Sequence, residues 1–310
     1  MRALIPTLVL VLTGCGGNWS NADLAYQNAL PRSADLKSQL PSNAASSPLT
    51  GVSTRQDGLM VGDPSNVWGL TKKAASDFNG LLDMLLGLVD QVRAIPPTSR
   101  TADSRTWGPF NDDNNPGREI QVVIRKVDET NFEWSVESRA KGGEFLHVLD
   151  GNFAATDTAR RGRGSIVVHV KDFRDVVKVT PELAQLDELT LGYVTDLFPR
   201  RAEMLFTFKP GSTSGLSSAG YTARQQQDGS GAMRFVYTSS DPNVQELEIN
   251  SAWLPTGEGR ALGTVRKGTY TGFNVTECWG KSFTVTYYAE SWLGGTVSGQ
   301  PSGCATIDGL

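Results

Sequence analysis

Histidine is nearly absent from this chain: there are two in 310 residues, alongside three cysteines. A zinc centre needs three or four clustered nitrogen and sulfur ligands. Two separate histidines do not supply one once the cysteines are assigned below, so no metal site is expected. No Gly-x-Ser-x-Gly nucleophile elbow is present; Gly211-Ser212-Thr213-Ser214-Gly215 carries Thr at its centre. Neither the Walker nor the Rossmann glycine pattern occurs, which removes the usual nucleotide and dinucleotide cradles. No cofactor is expected. Positive charge is not in surplus either. Lys and Arg total 29 against 33 Asp and Glu, for a net charge of −4. Nucleic-acid binding rests on clustered cations, so no nucleic-acid partner is expected. Finally, no segment approaches the roughly eighteen consecutive apolar residues of a membrane-spanning helix.

The N-terminus is more specific. Arg2 is followed by the apolar stretch Ala3 to Leu12, interrupted at Pro6 and Thr7. As a helix it would be about 15 Å long, half of a bilayer core, which fits the core of a cleaved export signal. The next residues, Leu12-Thr13-Gly14-Cys15, resemble the lipobox of bacterial lipoproteins. The resemblance implies loss of residues 1–14, a diacylglyceryl group on the Cys15 thiol and a further acyl chain, such as palmitate, on the new amine. Two or more chains hold a protein stably at a membrane. Gly16 matches the neutral residue that accompanies outer-membrane sorting in many Gram-negative bacteria. The expected location is therefore the cell envelope, lipid-anchored at the outer membrane. With Cys15 so used, Cys278 and Cys304 remain. An even pair in the oxidising periplasm reads as a disulfide. It would restrict the unfolded chain by about 3–4 kcal/mol in the entropic model.

Residues 15–62 are rich in Asn, Ser, Ala and Pro and hold no period, so a flexible tether is expected there. A helix follows. Asp63 to Asn66 supply capping side chains, and Val67, Leu70, Ala74, Phe78, Leu81, Leu85, Leu88 and Val92 recur at three and four. Pro96-Pro97 ends it. Beyond Trp107 the period becomes two, in runs such as Phe132-Trp134-Val136, Met204-Phe206-Phe208 and Met233-Phe235-Tyr237. Gly- and Asp-rich turns separate these runs, the pattern of an antiparallel meander. Thr180-Pro181-Glu182 predicts a short helix over 181–188, and Gly211 to Gly220 reads as a loop. The expected fold is mainly β (α+β), a single domain over 63–310. In it one long N-terminal amphipathic helix packs on a large curved antiparallel sheet, half-barrel-like, with a closed barrel or a sandwich as the alternative. The order of elements is similar to that of bacterial lipoprotein carriers and lipid-binding lipoproteins. Ser251-Ala252-Trp253, Gly257-Glu258-Gly259-Arg260 and Glu277-Cys278-Trp279 resemble motifs of predicted lipoproteins from myxobacteria. Gly280 stands where those usually carry Asp. That family implies no activity.

Candidate chemistry is sparse. His147 and His169 lie in strand-like runs and read as ordinary sheet residues. Asn111 to Gly117 offers oxygens but lacks the calcium-loop pattern. Glu133, Glu137, Glu246 and Glu248 alternate as solvated faces do, and Arg160-Arg161-Gly162-Arg163 reads as a charged hairpin tip. No catalytic residue is assigned. The expectation is a membrane-anchored envelope lipoprotein, non-enzymatic, binding an apolar small molecule or an envelope protein. A structural envelope protein without a ligand is the alternative, and a carboxylate-based hydrolase comes behind it.

Overall fold

The computed structural model describes residues 20–43, 59–156, 160–181, 183–292 and 294–307. Cys15, the lipobox and the signal segment lie outside the described residues.

The protein is mainly β. Fifteen strands form one antiparallel sheet whose spatial order is the order of the chain. The first five are β1 (Ser99–Arg100), β2 (Ser104–Asn111), β3 (Arg118–Lys126), β4 (Asn131–Ala140) and β5 (Leu146–Ala155). Then come β6 (Gly162–Val168), β7 (Leu186–Val194), β8 (Arg200–Phe208), β9 (Leu216–Gln225) and β10 (Gly231–Ser239). The last are β11 (Glu246–Trp253), β12 (Gly259–Lys267), β13 (Asn274–Trp279), β14 (Val285–Glu290) and β15 (Val297–Gly299). Among the described residues, strands β1 and β15 each pair on one side only, so the sheet is open. The closed barrel and the sandwich are both ruled out by that topology. Two local expectations also change. The helix predicted over 181–188 is a 3-10 turn at Leu183–Gln185, because Leu186 already turns into β7. The loop predicted over Gly211 to Gly220 gives way to β9 at Leu216.

Among the described residues, four α-helices accompany the sheet: α1 (Asn21–Asn28), α2 (Ser33–Leu36), α3 (Asn66–Val92) and α4 (Val170–Phe173). The long helix is not the N-terminal element; α1 and α2 precede it, inside the stretch expected to be tether. A few anchors hold them rather than a periodic stripe. Ser20 and Asp23 form a reciprocal capping box at the start of α1, and Tyr26, Leu30 and Leu36 are buried in the main core. Asp23 is fully buried, with its carboxylate on Arg105 Nε at 2.6 Å and on Arg100 Nη2 at 3.2 Å. Burial pushes this carboxyl up, but the Ser20 backbone N–H and the two guanidiniums outweigh it and hold it well below the carboxylate range.

Helix α3 has 27 residues, a rod of about 40 Å. Ser65 caps it by accepting from the Trp68 N–H at 3.0 Å. Its buried face runs Trp68, Ala75, Phe78, Leu82, Leu86 and Val89. Val67, Ala74, Phe78 and Val92 of the expected stripe are buried, whereas Leu70 is 39% exposed and Leu81 and Leu85 are only partly buried; Ala75, Leu82, Leu86 and Val89 fill the face beside them. The buried face is thus wider than one three-and-four stripe and takes in adjacent pairs such as Val67-Trp68 and Ala74-Ala75.

The side chains facing α3 from β2 to β13 form one continuous core with it. Glycines directly opposite aromatic rings let that core close. A Cβ at Gly231 would lie 2.5 Å from the Trp253 ring, and one at Gly259 would lie 2.3 Å from the Trp279 ring. These are registered pairs, Gly231 with Trp253 and Gly259 with Trp279, so each indole lies flat across its neighbour's bare backbone. At the C-terminal end Cys278 and Cys304 are joined by a disulfide, S–S 2.02 Å, which ties β13 to the chain beyond β15.

Candidate functional site

The side of the sheet packed on α3 carries the main core. It is closed by Trp68, Phe78, Trp107, Trp253 and Trp279, each essentially fully buried. Both of the large described depressions open instead on the opposite, outer face.

The larger, of about 690 Å³, crosses β8 to β13. Strand alternation builds it. On each strand the residues between the core positions point outward: Arg201 and Glu203 flank core Ala202, Arg224 follows Ala223, and Arg234 lies between Met233 and Phe235. Register then aligns them. Arg201 of β8 is opposite Arg224 of β9, Arg224 opposite Ala232 of β10, Ala232 opposite Ala252 of β11, and Ala252 opposite Arg260 of β12. The floor is therefore two alanines, with arginines on both sides. Arg224 and Arg260, three strand steps apart, stand about 14 Å apart at the backbone.

The electrostatics are uneven. Arg201 pairs with Glu203. Arg234 and Arg266 hold Glu248 at 2.9 and 3.1 Å. Arg234, aided by Arg266 and the Asn250 amide, brings the Glu248 carboxyl down to about 2 despite partial burial. The side chains of Arg224 and Arg260 make no hydrogen bond or ion pair among the described residues. Directly opposed like charges such as Arg201 and Arg224 cost a few tenths of a kcal/mol to about 1 kcal/mol in a sheet. Four arginines against one carboxylate, Glu203, line the depression, in a chain whose net charge is −4. The arrangement can take an anion by charge-assisted, bidentate guanidinium contacts.

The second depression, about 430 Å³, lies over β3 to β6 and contains His147 and Asp150. Asp150 accepts from both histidines: Oδ1 is 2.7 Å from His147 Nδ1 and Oδ2 is 3.1 Å from His169 Nε2. Residues three apart in a regular strand face opposite sides. Here a bulge between Val136 and Glu137 skips Val148 in the register, which brings His147 and Asp150 to one side. His169 enters from the start of α4. The Asp150 carboxylate raises the His147 imidazole above its ordinary value, against partial burial. In Asp150→Asn we expect the His147 titration, followed by NMR, to fall back toward about 6.5. The small stability that this pair contributes is present below the unfolded-state value and disappears as pH rises through the folded one. Among the described residues no group of three or more His, Cys, Asp and Glu is placed to hold a metal ion.

Other sequence candidates are structural. Asp112 at the Asn111 to Gly117 turn accepts from the Asn114 and Asn115 N–H groups at 3.0 and 3.2 Å. Glu137 accepts from Gln121 and Ser135 at 2.7 and 2.6 Å. Glu246 pairs with Lys267 at 2.6 Å, and Glu133 lines the second depression. Glu277, not singled out from sequence as a titratable group, is buried beneath α3. It accepts from the Ser65 hydroxyl and, at 3.2 Å, from the Val67 N–H. Burial pushes its carboxyl up, and the Ser65 hydroxyl and the backbone N–H groups of Val67 and Asn66 work against that rise. The residues that sequence reading missed are Arg201, Arg224 and Arg260. Their one advance signal was an outward alanine, Ala232 and Ala252, on two consecutive strands where larger outward residues are the rule. In comparisons with known protein families, curated proteins and solved structures, nothing matches this chain.

Proposed function

We propose that this protein is a cell-envelope lipoprotein, held at the outer membrane of a Gram-negative bacterium by acyl chains on Cys15, whose half-barrel-like sheet binds an anionic ligand on its outer face. The reading is non-enzymatic. The observation that carries the binding half is the arginine-lined depression, in which Arg224 and Arg260 flank an alanine floor without counter-ions. An anion there would replace water on two unpaired guanidiniums. The anion takes the place of the apolar ligand expected from sequence, because the side of the sheet that would have held an apolar molecule is occupied by α3. The lipobox, with the disulfide's demand for an oxidising compartment, supports the anchored half.

Calorimetric titration with citrate as a probe tests the binding. Arg224→Ala and Arg260→Ala are each expected to weaken citrate by about tenfold, near 1.4 kcal/mol, since hydrogen bonds to charged groups are worth about 1.5–3 kcal/mol. Equal affinity in wild type and both variants would remove the site. The anchor is tested by fractionation. Cys15→Ser should leave the membrane pellet, and the mature wild-type N-terminal peptide should carry the mass of its acyl chains.

A further inference from the structure

Resting on that anionic-ligand reading, we propose that the ligand is a linear polyanion, an acidic polysaccharide, laid across the strands along an arginine track longer than the depression itself. The row that holds Arg201, Arg224 and Arg260 continues past β8. Val194 of β7 is opposite Arg201, and Arg163 of β6 is opposite Val194. From Arg163 to Arg260 the row crosses six strand steps, about 29 Å. A single carboxylate or phosphate needs one end of such a row; a chain of them uses its whole length.

The residues between the arginines are short. Val194, Ala232 and Ala252 leave the path open, so a polymer backbone can lie against the sheet while guanidiniums reach it from both ends. All four arginines of the row point to the outer face, and two of them are already partnered, Arg163 with Asp196 at 3.4 Å and Arg201 with Glu203. Those partners are exchangeable: the side chains of Arg163 and Arg201 are 61% and 46% exposed, where such pairs are weak.

Three positions of the parallel row supply neutral polar contacts. Thr222, Asn250 and Thr276 stand in register beside the track, together with Glu203, Arg234 and Leu262. A hydroxyl, an amide and a second hydroxyl beside a line of cations suit a hydroxyl-rich acidic sugar chain. Single-stranded nucleic acid carries the same charge but is held by aromatic stacking platforms. No aromatic ring lines the depression.

The test uses the full chain with three probes: polygalacturonate, monomeric galacturonate and oligothymidylate. Polygalacturonate should bind at least about tenfold tighter than the monomer, through linked contacts along one surface. Arg163→Ala should weaken the polymer several-fold and leave the monomer unchanged, since Arg163 lies outside the depression. Arg163 and Arg224 are solvent-exposed, so unaltered thermal unfolding of the variants verifies that the fold is intact. Monomer and polymer binding equally, with Arg163→Ala silent, would overturn the track while leaving the anion site standing. Tighter binding of oligothymidylate would overturn the polysaccharide assignment. No binding of any probe, with citrate also inert, would overturn both this proposal and the reading beneath it.

Discussion

Trp68→Ala is expected to destabilise the protein by about 3–5 kcal/mol, the range for truncating a buried aromatic. Trp68 is 1% exposed. It stacks on Phe283 with centroids 4.6 Å apart and planes at 15°, meets Trp279 at 5.6 Å, and meets Trp253 edge-on at 6.3 Å. Removing it opens a cavity between the first turn of α3 and three C-terminal strands or turns that cannot all collapse inward, because the glycines facing Trp253 and Trp279 hold those rings flat. Chemical denaturation measures the loss. Trp68→Phe should recover part of it, since the stack on Phe283 survives while the indole's extra reach toward Trp279 does not. An alanine variant within 1 kcal/mol of wild type would show that α3 is not anchored through this ring.

Asp23→Ala is expected to cost about 3–5 kcal/mol, the penalty for leaving a buried charge without its partner. Arg105 is 7% exposed and would retain only the carbonyls of Thr101 and Ser104, at 2.8 and 2.7 Å, and the face of the Tyr26 ring, 4.4 Å away. The loss should appear as release of α1, so residues 20–36 would become cleavable by protease before the sheet unfolds. Arg100→Ala should cost under about 1 kcal/mol, because that partner's side chain is 37% exposed. The same pair has a pH signature. The Asp23 carboxyl is depressed in the folded state. Its stabilisation is therefore complete above the unfolded-state value near 3.9 and is lost as pH falls further toward the folded one. In Asp23→Ala the slope of stability against pH below about 4 should be shallower than in wild type.

The period-two runs and their turns carry the strands in the sequence, because alternation is a local property and a one-residue slip would turn Met204 or Phe235 into water. The disulfide is legible from counting cysteines. The face of α3 is legible only in part: Val67, Ala74, Phe78 and Val92 are buried as their spacing predicts, but Leu81 and Leu82 fit helical stripes one position apart, and burial of Leu82 rather than Leu81 is a matter of tertiary packing. Helices α1 and α2 are hidden for a different reason: a segment docked by one buried acid and the scattered side chains of Tyr26, Ala29, Leu30 and Leu36 has no period to read. The arginine row is the least legible. Arg201, Arg224 and Arg260 are far apart in the chain, and their alignment depends on the pairing of five strands together with two alanines. His147 and Asp150 converge only because of a bulge, which alternation alone would have contradicted.

The strand order has a consequence for a chain delivered from its N-terminus, whether from a ribosome or through a secretion pore. Each strand after β1 finds a ladder partner in the strand just before it, so the sheet can grow hairpin by hairpin, closing short loops except for the connection between β6 and β7 that carries α4. Helix α3 cannot finish with it. The Glu277 carboxylate at the first turn of α3 lies 212 residues downstream of Ser65, and the rings that cover Trp68 belong to the final quarter of the chain. Until that quarter arrives, a growing sheet carries a helix with an uncovered indole at its leading end. That interval closes only when β13 and Phe283 beyond it take their places against the indole.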